Sequence, residues 1–402
     1  MSKIFISTAN CGKAHEADIY GVAISVPYTI TCSGDGHIKL WKNKLLDNET
    51  PRDHVISQFV HKSGVHHIDV FNSVERTGKL VCVVACVSFT GEVFFYEIDV
   101  AEGNDTKIRA IELMSAAEKK KSYWAVKWYT SSDFSVAHKF AATDVKGNTY
   151  IWNFYPFEQE DQEALEANDE DLKHKLHLRY EGAIPVKDPS VATCVDISNN
   201  GLIATGFENG SVIVSQLNSL KPLYNFEGFG LQGIEQNSNT VRCVRFSPTG
   251  SLLAVANDSG SFGCVTMYET EFGERIGNFA IATHSSQTSI GSFAHNGWVF
   301  GLSFSASGEF LATCGYDSKV RVWDVKLRER VSTLNITAGD IEAEDEILLE
   351  DENGDSLKYP PVFDVKFINK GIRAGMGSDV NEGLCCVCMD RSVRWFREAG
   401  GS

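Results

Sequence analysis

Cys385, Cys386 and Cys388 stand close enough along the chain to suggest a thiolate site for zinc. Zinc takes four ligands, and neighbouring side chains of a strand leave on opposite faces, so only Cys386 and Cys388 share a side. No second Cys or His pair stands at ligand spacing, and the three residues read as packed thiols. His66 and His67 diverge across a strand in the same way, and no Ser or Cys sits in a recognisable nucleophile elbow. The glycines of Gly34-Asp35-Gly36 and of Gly371 to Gly377 lack the P-loop sequence and a place between strand and helix, so they read as turns. Neither metal, cofactor nor small-molecule substrate is expected, and the chain is read as a non-enzyme.

What does recur at fixed spacing is His, Asp and Trp. Asp35 lies six residues before Trp41 and Asp317 six before Trp323, with His15 and His295 opening the two segments. Weaker copies end at Tyr96, Trp152, Ser215, Tyr268 and Phe396, which makes seven units. Each alternates apolar and polar residues with period two and is rich in Val, Ile, Thr and aromatics, the pattern of strands bounded by Gly, Asn, Asp and Ser turns. Several short strands per repeat of about 40 to 60 residues, with a His-to-Trp pattern, resemble the WD-type blades of a β-propeller. The expectation is an all-β, seven-bladed propeller occupying residues 1–402 as a single domain. Radial stacking is the reason, because it buries blade faces that a lone sheet would leave in water.

In that family the blade Asp sits in the turn before the third strand, and His, Ser or Thr and Trp hydrogen-bond toward it. The resemblance carries this role to His15, Asp35 and Trp41 and to His295, Asp317 and Trp323. Lys146 and Asn209 stand in the Asp position of the third and fourth units, whose blades are expected to rely on packing alone. The last unit has no room for a fourth strand, so Ile4 to Ser7 is expected to close it from the other end of the chain.

Charge narrows the partners. With 53 Asp plus Glu against 37 Lys plus Arg, the net charge is -16, which repels a phosphate backbone, so direct nucleic-acid binding is not expected. The opening MSKIFISTANCGK carries no signal-peptide core, and no window approaches a membrane helix, so a soluble intracellular protein is expected. Eleven cysteines, mostly within alternating apolar segments, fit reduced thiols. Acidic stretches near 157–188 and 335–361 read as surface insertions, either simply solvated or serving as a docking arm for a basic partner.

Without a catalytic constellation, the weight shifts to binding. Aligning the seven units on V-x-x-L-x-F of the sixth places Tyr20, His66, Trp124, Thr193, Arg242, Phe300 and Phe363 at one position, where the inner strand leaves the channel mouth. Asp18 and Trp298 lie at an equivalent position just upstream in their own units. Such rings either pack as core or form an exposed rosette that anchors a partner peptide, and both remain open at this point. In the second case Asp18, beside Tyr20, Trp298 and Phe300, is expected to hold a partner's arginine by charge and ring-face contact.

A closer likeness rests on SGDGHIKLWKNKLLDNE, FVHKSGVHHIDV, ATDVKGNTYIW, SFGCVTMYETEFGERIG, THSSQ and CVCMDRSVRWFREAGG. With these segments the chain resembles the WD-repeat subunits of the yeast superkiller complex from Met1 to the C-terminus. The resemblance implies a cytoplasmic scaffold that joins an RNA helicase to a tetratricopeptide-repeat subunit and supports 3′-to-5′ mRNA decay by the exosome. It also implies a nuclear, meiotic pool that binds the topoisomerase-like protein making double-strand breaks, with both partners using a short Gln-Arg-containing motif. An adaptor of a different complex, or a propeller hydrolase with carboxylates lining the channel, stays open as the alternative.

Overall fold

The computed structural model describes residues 2–46, 49–74, 80–99, 106–131, 137–156, 176–227, 239–281, 293–341, 350, 354, 357–373 and 380–400. Among them, twenty-eight strands form seven four-stranded antiparallel sheets, the blades of a propeller. No helix among the described residues is long and apolar enough to cross a membrane. Blades 1 to 6 start with the inner strands Ile19–Ile24, Val65–Val74, Tyr123–Tyr129, Ala192–Ile197, Val241–Phe246 and Val299–Phe304, and blade 7 starts with Val362–Ile368.

The second strands explain the small residues in the sequence. Tyr28–Ser33, His138–Asp144, Leu202–Phe207 and Gly383–Cys388 are buried along their whole length. A strand with a neighbouring blade on both faces loses its polar alternation and carries runs of compact side chains, such as Ala141, Ala142 and Thr143 or Ala204, Thr205 and Gly206. The outer strand Val55–Phe59 returns to alternation, with every second residue open to water. All eleven cysteines are buried. Cys385 packs with Trp41 and Trp395, while Cys386 and Cys388 face Val320 and Val322 on the opposite side.

Blade 7 has three strands of its own and borrows the fourth. Phe5–Cys11 pairs antiparallel with Val393–Glu398, from Phe5 opposite Glu398 to Cys11 opposite Val393. The closing strand outruns the expected Ile4 to Ser7 because a bulge between Ser7 and Ala9 lets pairing continue. Lys3 forms an ion pair with Glu398 at 2.9 Å, and the Ala399 N–H donates to the Ile4 carbonyl at 2.8 Å.

Blades 1 and 6 carry the expected polar chain in full. Trp41 Nε1 donates to Thr31 Oγ1 at 3.0 Å, Thr31 meets His15 Nε2 at 2.8 Å, and His15 Nδ1 meets Asp35 at 2.9 Å. In blade 6 Trp323, Thr313, His295 and Asp317 repeat the chain at 2.9, 2.7 and 2.8 Å. Burial works against the Asp317 carboxylate, yet the His295 hydrogen bond and charge, with Arg321 beside it, hold its pKa at about 2. Gly36 follows Asp35 with φ +84, and a Cβ there would lie 2.3 Å from the His61 carbonyl oxygen, so only glycine fits the turn.

Two other blades do not rely on packing alone, as the sequence had suggested. In blade 3 the turn is held by Asp144, two residues before Lys146; it accepts from the Lys146 and Asn148 N–H groups at 3.0 and 2.8 Å and from the Tyr150 hydroxyl at 3.1 Å. In blade 4, Asn209 accepts from the N–H and hydroxyl of Ser211. Blade 7 replaces His by Arg394, which donates to Asp390 at 2.6 and 3.1 Å and to the Thr337 carbonyl at 3.0 Å. The first acidic insertion is also shorter than 157–188, because His177–Ile184 is the outer strand of blade 3; residues 157–175 lie outside the described residues. Of the second, 342–349, 351–353 and 355–356 lie outside them.

The fifth residue of every inner strand lines one axial cavity of about 400 Å³: Ala23, Asp69, Lys127, Asp196, Arg245, Ser303 and Lys366. From blade 2 onward, hydrogen-bond acceptors and cations alternate. Asp69, Asp196 and Ser303 accept the N–H groups of Trp128, Phe246 and Phe367 in the following blades at 2.7, 2.7 and 2.9 Å. Each thereby satisfies a donor on an exposed strand edge. Lys127 lies 3.4 and 3.5 Å from Asp69 and Asp196. At blade 7 Asp364 accepts from Val22 of blade 1 at 3.1 Å, while Lys366 turns back to Asp364 at 2.7 Å.

Candidate partner-binding mouth

Every inner strand begins with the same irregularity. Its pairing with the second strand skips one residue, between Ile19 and Gly21, Val65 and His67, Tyr123 and Ala125, Ala192 and Cys194, Val241 and Cys243, Val299 and Gly301, and Val362 and Asp364. The skipped residues are Tyr20, His66, Trp124, Thr193, Arg242, Phe300 and Phe363, the seven that the sequence alignment placed at one position. A bulged residue leaves the hydrogen-bonded ladder, and its side chain is re-aimed. Sevenfold repetition turns that local defect into a ring of side chains free of blade-forming duty.

The rings touch in one continuous arc. Trp124 to His66 is 4.6 Å between centroids, His66 to Phe89 5.0 Å, Phe89 to Tyr20 5.2 Å, Tyr20 to Phe363 5.2 Å and Phe363 to Phe300 5.2 Å. Trp298 continues it at 6.5 Å from Phe300, and Tyr316 ends it 6.1 Å beyond. Trp124 and Trp298 remain 37% and 36% exposed, whereas Tyr20, His66, Phe300 and Phe363 are half-buried. The rings therefore brace one another and still present a surface. Thr193 interrupts the arc at blade 4, its hydroxyl bonded to the Gly206 carbonyl at 3.0 Å.

The charged residues divide between the two ends. Asp18 is half-buried, its side chain makes no hydrogen bond to a described residue, and burial raises its pKa against the pull of Arg391. Tyr20 is raised by burial and then by the Asp18 charge. At the other end the ring face expected to receive a partner's arginine already carries one from this chain. The Arg242 guanidinium lies 4.4 Å over Trp298 and 5.4 Å over Phe300. It is fixed by two hydrogen bonds to fully buried Asp258, at 2.7 and 2.8 Å, and Trp298 Nε1 donates to the Gly260 carbonyl at 2.9 Å. Asp18 and Trp298 belong to blades 1 and 6, on either side of blade 7.

Sequence reasoning missed Phe89, Tyr316 and Asp258. Phe89 and Tyr316 stand in the turn between second and third strands, so aligning those turns as well as the inner strands would have found them. Asp258 lies near the end of the strand Leu252–Ser259, and nothing in its spacing marks it. Among the described residues, no three His, Cys, Asp or Glu side chains gather as metal ligands.

Burial also sets a pH response. His66 is held down to about pKa 4 by loss of solvent, and burial lowers His15, His67, His138 and His295 as well. Below pH 6.5 the unfolded chain takes up protons on these rings before the folded one does, so their contribution to stability is present above that pH and is lost as pH falls through the lowered folded values. For His66 the slope is about 1.4 kcal/mol per pH unit. Urea midpoints at pH 7.0, 6.0 and 5.0 should fall together with pH, and less steeply in His66→Phe; midpoints that stay constant would contradict it.

Comparison with known families matches residues 8–42 and 287–324 to the WD domain, G-beta repeat, and residues 197–291 to the anaphase-promoting complex subunit 4 WD40 domain. The first two segments hold the two blades with the complete Trp–Thr–His–Asp chain. Antiviral protein SKI8 of Saccharomyces cerevisiae is 54% identical over 405 residues, covering all of both chains. Meiotic recombination protein rec14 of Schizosaccharomyces pombe is 25% identical over 270 residues, 65% of this chain and 69% of that one. WD repeat-containing protein 1 of Xenopus tropicalis is 35% identical over 100 residues, 25% of this chain and 14% of that protein.

Proposed function

The chain belongs to the SKI8 family of WD-repeat proteins, and from that membership we infer that it is a non-catalytic scaffold whose bulged mouth grips partner polypeptides. Its proposed assembly is the superkiller complex, where it joins the tetratricopeptide-repeat subunit and the RNA helicase that feed mRNA to the exosome. A cytoplasmic location follows from that role. A second, nuclear role through the meiotic DNA-cleaving protein is supported by the likeness to a protein named for meiotic recombination. The observation that carries the binding reading is the register skip repeated in all seven blades, which supplies a surface the fold does not consume.

Trp124→Ala and Trp298→Ala test it. Each is expected to fold with a near-native melting temperature and to weaken partner retention by about 1–2 kcal/mol, roughly five- to thirtyfold, as for exposed aromatic anchors. The measurement is quantitative mass spectrometry of proteins held by the tagged chain from vegetative and meiotic cells. Wild-type retention of every partner by both variants would refute the mouth assignment. A scaffold also co-purifies with large proteins in fixed ratio, whereas a hydrolase would turn over substrate with none present.

A further inference from the structure

We propose that the axial cavity is a binding site for a small oxyanion, held by Arg245, Ser303 and Lys366. The cavity, about 400 Å³ in volume, is lined by the last residues of the inner strands and, at its rim, by Thr130, Ser198, Asn199 and Ser247 of the turns that follow them. The mouth residues stand at the other ends of these strands, so the inference is independent of the docking reading.

The charges around the axis are unevenly met. Asp69 and Asp196 lie 3.4 and 3.5 Å from the Lys127 ammonium between them, and each also accepts a backbone N–H from the following blade. Lys366 donates to both carboxylate oxygens of Asp364 at 2.7 Å. Arg245 is left over. Among the described residues its guanidinium makes one hydrogen bond, from Nη1 to the Val244 carbonyl at 2.9 Å, and forms no ion pair. Burial works against its charge, but Cys243, Asp196, Asp364 and Asp69 favour it, so the group stays protonated. A half-buried guanidinium with Nε and Nη2 unused needs acceptors, from water or from a ligand.

Consecutive blades supply the rest of an oxyanion cradle. Blades 5, 6 and 7 place a guanidinium, a hydroxyl and an ammonium at one level, and blade 1 follows with Ala23, whose methyl leaves space beside them. The opposite arc, from blade 2 to blade 4, carries two carboxylates with a cation between them. The cavity is therefore polarised across the axis, and an anion is favoured on the Arg245 side. Ser303 accepts the Phe367 N–H at 2.9 Å, which leaves its own O–H to donate, and Lys366 keeps one N–H beyond those given to Asp364. The arginine fork matches two oxygens of a tetrahedral phosphate, either the free ion or the phosphoryl end of a small ester. At about 30 Å³ per water, the cavity holds such a group together with several waters or the body of the ester. A metal cation entering here would meet three resident ones.

Isothermal titration of the purified full chain with inorganic phosphate, and separately with methyl phosphate, tests the site at constant ionic strength with chloride as the balancing ion. A Kd of about 1 mM or tighter is expected for at least one of them. Tighter binding of the ester identifies a phosphoryl group as the ligand, and tighter binding of phosphate identifies the free ion. Arg245→Lys, which keeps the charge without the fork, should weaken binding at least about tenfold. Crystals of the wild type soaked in selenate give a readout that needs no variant, with anomalous density expected within hydrogen-bond distance of Arg245. No binding in either titration, binding unchanged in Arg245→Lys, or selenate found only as an adventitious ion at surface lysines overturns the assignment. Where Arg245→Lys fails to fold, the titrations and the soak of the wild type decide.

Discussion

Removal of residues 1–11 is expected to cost about 5 kcal/mol or more, enough to abolish folding of a marginally stable domain. The loss strikes blade 7, whose outer strand Phe5–Cys11 covers the edge of Val393–Glu398 and shields a packed joint containing Trp395 and Trp41. Six register pairs disappear, with the burial of Cys11, and a paired strand edge becomes an open one. Only one edge is lost, yet in a closed ring each blade leans on two neighbours, so the other joints feel it. Circular dichroism melts of the truncated chain, with and without a synthetic peptide spanning residues 2–12, measure the effect. The peptide should restore much of the lost melting temperature, and a truncated chain that melts like the full one would refute the closure.

Asp390→Ala should destabilise the protein by about 3–5 kcal/mol, far more than a typical turn substitution. Arg394 is completely buried and meets Asp390 through two nitrogens, with Ser392 and the Thr337 carbonyl around them. Removing the carboxylate strands a guanidinium charge out of water. Adding Arg394→Met removes the charge too, and the double variant should recover most of the loss. By contrast, the partly exposed Lys3–Glu398 pair is worth at most about 1 kcal/mol. Urea midpoints of the single and double variants decide it; equal losses in both would show that shape, and not the charge, matters at this position.

Much of this was legible in the sequence because each blade repeats one pattern against the same physical constraint. The position of Tyr20, His66, Trp124, Thr193, Arg242, Phe300 and Phe363 could be aligned because a bulged residue still occupies a fixed place after the first strand residue. What Arg242 does there was not legible, since its partner Asp258 lies across the strand pair and its platform, Trp298, comes from the next blade. The substitutes for the missing His and Asp differ in this respect. Asp144 moves two places along its turn, so the spacing fitted to blades 1 and 6 misses it, whereas Asp390 and Arg394 repeat the four-residue spacing of Asp317 and Arg321 in blade 6 and could have been found by aligning that pair. His177–Ile184 escaped notice beside an acidic run, because an outer strand needs only one apolar face and His-Leu-Arg-Tyr-Glu shows little of it.

The axial cavity raises a question of parity. Two kinds of residue can alternate without conflict around an even number of positions but never around seven, so one junction must break the rule. Here the misfit falls between blades 7 and 1, where Asp364 and Lys366 share a single strand and Ala23 carries no charge at all. The two chain ends meet inside blade 7, on one side of that junction, so the electrostatic seam lies next to the break in the chain. A circularly permuted version opened between blades 3 and 4 would pull them apart, leaving a ring with two separate places to come undone.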